Sequence, residues 1–151
     1  MSHIPYPFEQ VEPTRYKFFS LGRNKIEKIV DFVPLKAKNV MNLGFGDLLP
    51  DGSIDDKIAS NNGDIGKVLA TVVTILKHFT ALHPHLTIGF AGSTAERTKL
   101  YARILKMHYA SFSKEFMIYG NVESGQDSEW LPIDPRAQVD YFAFLIKRII
   151  Y

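Results

Sequence analysis

The stretch Leu86–Tyr101, L-T-I-G-F-A-G-S-T-A-E-R-T-K-L-Y, constrains the fold more than any other. Leu86, Ile88 and Phe90 alternate with Thr87, Gly89 and Ala91, which are small but not strongly polar. That is the pattern of a central strand covered on both faces. Gly92 frees the backbone for a tight turn. Ser93 stands where its hydroxyl can accept from an orphan amide of a helix. Glu96, three residues on, can reach back to the Ser93 amide, so Ser-Thr-Ala-Glu reads as a capping box. The chain must therefore hold a buried strand that runs directly into a helix.

The other elements follow from period and punctuation. Residues 1–14 hold Pro5, Pro7 and Pro13 and read as an extended arm lying on the domain through Tyr6 and Phe8. Arg15–Leu21 and Ile26–Leu35, joined by Gly22-Arg23-Asn24-Lys25, read as a hairpin. Val40–Leu49 reads as a third strand with glycines inside it. Ile65, Val68, Leu69, Val72, Leu76, Phe79 and Leu82 have helical spacing, and His83-Pro84 ends that helix. A second helix is predicted from Thr94 to about Phe112. Strands are predicted at Phe116–Val122 and Tyr141–Ile150, with a short edge piece at Glu129–Ile133. The expected architecture is one α+β domain over residues 1–151, order βββαβαββ, with a mainly antiparallel sheet and two helices packed on it.

Length and composition exclude several classes. The 151 residues suit one domain, and 46% hydrophobic residues suffice for a core. The formal net charge of +2 makes no global case for nucleic-acid binding. The charge is uneven, however. From Pro84 to Glu115 the bases Arg97, Lys99, Arg103, Lys106 and Lys114 face only Glu96 and Glu115. There is no cysteine, hence no disulfide, thiolate ligand or thiol nucleophile. No leader pattern opens the sequence, and no apolar run reaches the ~18 residues of a membrane span. A cytoplasmic protein without a membrane partner is the expectation.

Several segments in order carry a resemblance: N-L-G-F-G-D (42–47), I-D-D (54–56), S-N-N-G-D (60–64), K-V-L-A-T-V (67–72), G-S-T-A-E-R-T-K-L-Y (92–101) and Tyr141–Lys147. Together they resemble a family of uncharacterised small bacterial domains, mostly from Bacteroidetes. The likeness spans nearly the whole chain and implies no established activity, cofactor or catalytic residue. It associates the chain loosely with toxin–antitoxin-like or defence gene sets.

Three functions are open to these residues. The first is binding of an anionic partner, a nucleotide or nucleic acid, at the Gly92–Tyr101 junction. Amides at a helix start and the positive end of the dipole favour anions. Ser93, Thr94, Arg97, Thr98 and Tyr101 would line that site, with Asn61, Asn62 and Asp64 of a polar loop beside it. Arg97 offers a fork for phosphate, and Tyr101, one turn on, a ring for stacking. The opposing reading is an ordinary capped turn, since neither a P-loop nor a dinucleotide fingerprint is present. The second function is a metal-dependent nuclease or phosphohydrolase, with Asp47, Asp56 and Asp64 holding the ion and Arg97 the phosphate. Against it, a loop rich in Asp and Asn also forms Asx-turns and helix caps. The third is a protein-interaction module, a homodimer among its forms, paired through a sheet edge or the Trp130 region. Of the five histidines, His78 and His108 read as rim or core residues, while His83-x-His85 could bind a metal if extended but stands at a helix end, where a histidine caps carbonyls; no metal site or cofactor is assigned.

Overall fold

The computed structural model of the chain describes residues 4–55, 62–92 and 94–150. Among these the elements run β1 (Phe8–Glu12), β2 (Arg15–Leu21), β3 (Lys25–Pro34), β4 (Val40–Leu48), β5 (Ile54–Asp55), α1 (Ile65–Leu82), β6 (Thr87–Phe90), α2 (Ala95–Met107), α3 (Tyr109–Phe112), β7 (Phe116–Ser124), β8 (Asp127–Pro132) and β9 (Phe144–Arg148). The class is α+β with mostly antiparallel strand pairing, as expected. The order βββαβαββ is too sparse. The arm is not merely extended: Pro13-Thr14 turns it back, and Phe8 pairs with Phe18 across an antiparallel hairpin. β5 is a two-residue pairing of Asp55 with Asp47, too short to leave a period in the sequence. The edge piece is a full strand, β8. The second helix ends at Met107; after His108, whose amide donates back to the carbonyls of Ile104 and Lys106, the short α3 follows.

The described residues pack as two compact units, Met1–Pro34 with Asn42–His83 and Leu35–Met41 with Pro84–Tyr151. In the first unit the strands are ordered β1-β2-β3-β4, with β5 on β4. Tyr16, Phe18, Val30 and Phe32 are buried, and α1 supplies their cover. Phe79 stacks on Phe32 at 3.9 Å between ring centroids, and Tyr16 meets Phe79 edge-on at 6.4 Å. Each such ring contributes about 1.5–3 kcal/mol by burial. By length and composition alone α1 is apolar enough to cross a membrane, but half of it is buried inside this protein, which is also how a core helix reads. Two ion pairs tie neighbouring strands. Arg15 grips Asp31, its direct partner in register, through two hydrogen bonds of 3.0 and 2.8 Å. Lys28 on β3 pairs with Asp47 on β4, and both side chains are largely buried.

In the second unit the order is β6-β9-β7-β8. Ile88, Phe144, Ile146, Phe116 and Ile118 are buried. The expectation that the Leu86–Ala91 strand is covered on both faces holds for its middle, where successive residues Ile88 and Gly89 are both buried. Phe90 stacks on Phe144 at 5.3 Å and receives the edge of Tyr101 from α2 at 6.1 Å, so α2 lies on this face. Tyr141 fills the space over Gly120, and its hydroxyl accepts the Asp134 amide at 3.2 Å.

Candidate functional site

The residues expected to line one site fall into the two units. Thr94, Arg97, Thr98 and Tyr101 belong to the second; Asn62 and Asp64 belong to the first. Ser93, Asn61 and Asp56 lie outside the described residues.

At the junction, the helix cap is Thr94. Its backbone is extended (φ −131°, ψ 162°), and its hydroxyl accepts the Arg97 amide at 3.2 Å. The cap thus stands one residue later than the expected capping box. Thr98 is buried and ties the turn to the helix. Its hydroxyl oxygen accepts the Gly92 amide at 3.0 Å, and the hydroxyl lies 3.1 Å from the Thr94 carbonyl. A Cβ on Gly92 would collide with the Thr98 amide, so glycine is needed here for close approach as much as for the turn. Thr98 is therefore spent on the architecture of the junction. Arg97 and Tyr101 are both half-buried, and the Tyr101 ring packs against Phe90.

The other bases of α2 are placed differently. Lys99 and Arg103, four residues apart, are exposed on one face of the helix. Neither has an ion-pair partner among the described residues. Glu96 is the one acid of the first turn. Lys106 is half-buried and donates to the Ala137 carbonyl at 3.1 Å, with its ammonium over the Tyr141 ring. The sequence shows these bases as a local excess of charge. Taken on a helical wheel, the i, i+4 spacing of Lys99 and Arg103, away from Thr98 and Leu105, identifies the exposed pair.

The polar loop has a structural role. Asn62 is buried and clamps the β2–β3 turn. Its amide nitrogen donates to Ser20 Oγ at 2.9 Å and to the Asn24 carbonyl at 2.7 Å, while its oxygen accepts the Asn24 amide at 2.6 Å. Its own carbonyl accepts the Arg23 amide at 2.9 Å, and a Cβ on Gly22 would overlap that carbonyl. Asp64 holds the N-cap position of α1, and its carbonyl accepts the Val68 amide at 3.0 Å, but its side chain makes no cap bond to the helix. One of its carboxylate oxygens accepts from the hydroxyls of Tyr6 and Ser20, each at 2.6 Å. Burial and this donation to Asp64 hold the Tyr6 phenol above its ordinary pKa, partly offset by the Leu21 amide that the oxygen accepts.

Two of the three carboxylates of the metal reading are engaged elsewhere, and the third, Asp56, lies outside the described residues. Asp47 pairs with Lys28, and Asp64 binds two hydroxyls. Among the described residues no group of three or more His, Asp or Glu side chains could hold a metal ion.

A family model covers residues 2–149, nearly the whole chain, and it describes a family of unknown function, DUF6934. The chain belongs to that family. The expected resemblance to a family without an assigned activity is thereby borne out. No curated protein and no solved structure matches the chain. DUF6934 membership gives no residue a role, so any function must be argued from this chain's own geometry.

Proposed function

We propose that this DUF6934 chain binds an anionic partner, the phosphate backbone of a nucleic acid, through the exposed basic face of α2. The observation that carries the reading is the Lys99–Arg103 pair. Two like charges one turn apart disfavour a helix by about 0.2–0.5 kcal/mol, so such a pair is a cost to the fold unless a ligand uses it. Here the pair is exposed and has no ion-pair partner among the described residues. Thr94 and Arg97 at the helix start lie upstream in the same first turns, where the dipole adds its positive end. Charge rather than stacking carries this binding, since the Tyr101 ring packs on Phe90.

A fluorescent single-stranded RNA oligomer titrated with the protein tests this. Binding is expected, and the double variant Lys99→Ala/Arg103→Ala should weaken it about tenfold or more without lowering the melting temperature. Equal affinity for the variant, or no binding by the parent chain, sinks the proposal.

A further inference from the structure

The structure points to a second interaction surface on the edge strand β8, and we infer that it takes an extended segment of a partner protein that alternates apolar and basic residues. The inference is independent of the nucleic-acid reading and rests on other residues.

β8 ends the strand order of its unit and, among the described residues, pairs with β7 alone. All six of its residues, Asp127–Pro132, are exposed. The β7–β8 hairpin turns through Gly125 (φ 67°) and Gln126, with Ser124 opposite Asp127. A two-residue hairpin makes the flanking pair hydrogen-bonded, and pairs then alternate. Asp127, Glu129 and Leu131 therefore bond to β7. The amides and carbonyls of Ser128 and Trp130 point away from it, toward the free edge. Pro132 has no amide and stops the ladder. The edge thus offers two donors and two acceptors to one added strand.

Side chains alternate across that edge. Trp130, 43% exposed, shares its face with Asn121 directly opposite and with Tyr119 and Pro132 beside them. Asp127 and Glu129 face the other way, while Glu123, opposite Ser128 at the hairpin end, lies on the Trp130 face. No base occurs in residues 121–132. An added strand would set alternate side chains against Trp130 and against the carboxylates, hence apolar residues in one set and Lys or Arg in the other. A second copy of this chain fits poorly. Pairing two β8 edges so that Ser128 meets Trp130 in both directions sets Glu129 directly against Glu129, and like charges opposite one another are unfavourable.

Trp130 is the chain's one tryptophan, so its emission reports on this edge directly. The probe is a short synthetic peptide alternating Lys and Val, with a Glu-for-Lys counterpart as control. The full chain should show a saturable blue shift of Trp130 emission with the basic peptide and none with the acidic one. Ser128→Pro removes an outward amide and leaves the β7 ladder intact; it should weaken binding at least tenfold. Glu129→Lys should do the same by charge and serves if the proline variant melts early. No shift with the basic peptide, or equal shifts with both peptides, overturns the inference. So does a Trp130 shift that grows with protein concentration alone, since it would make the occupant a second copy.

Discussion

Two tyrosine hydroxyls in the first unit separate polar groups that hold the fold from one that does not. Tyr6 donates to Asp64 and accepts the Leu21 amide. Tyr6→Phe leaves both without that partner and should cost about 1–3 kcal/mol in urea denaturation. The Tyr16 hydroxyl is buried and has no hydrogen-bond partner among the described residues. Tyr16→Phe keeps the ring contacts with Phe32 and Phe79 and should be neutral or stabilising, by up to about 1 kcal/mol. The same groups set an alkaline limit. Burial raises both phenols above their ordinary value of 10.0, and the bond to Asp64 raises Tyr6 further. A raised phenol means that the folded state holds the proton more tightly than the unfolded chain. Its stabilising share is complete below pH 10.0 and is lost as pH rises through the higher folded values. Unfolding free energy from these groups should be flat near neutrality and fall above pH 10.0, and the double variant Tyr6→Phe/Tyr16→Phe should fall less steeply.

At the scale of elements, the parts legible in the sequence were those with a sustained period. The apolar spacing of Ile65–Leu82 gave the bounds of α1, because about half of the helix is buried, although Ile65 and Leu82 at its ends are exposed. The β2–β3 hairpin was legible mainly from its Gly22-Arg23-Asn24-Lys25 turn, since the alternation in Ile26–Leu35 is imperfect. What escaped was short or set by distant partners. β5 has two residues and no period. β1 hid in a proline-rich arm, because its strand character comes from pairing with β2. Asn62 and Asp64 were read as site residues because they are polar and on a loop. Their partners, Ser20, Asn24 and Tyr6, lie some forty residues away or more, and no local pattern shows that. Element α2 was legible as a helix and its bases as a local excess of charge, but not which of those bases the fold leaves exposed. On it the two roles of Arg103 can be separated. Arg103→Glu gives Lys99 an opposite charge one turn away, worth a few tenths of a kcal/mol. The variant should melt no lower than the parent while losing RNA binding; a lower melting temperature would make Arg103 a structural residue.

For the whole molecule, a net charge of +2 supplies little long-range attraction for a polyanion, so binding must come from local placement of charge. The basic face of α2 and the carboxylates of the β7–β8 hairpin are of opposite sign, and they fit partners of opposite sign. If α2 meets phosphates with Lys99 and Arg103, the salt dependence of RNA binding reports it. The logarithm of the binding constant should fall linearly with the logarithm of salt concentration, and Lys99→Ala/Arg103→Ala should reduce that slope by about 1–2. A flat dependence, or a slope unchanged in the variant, would contradict the claim.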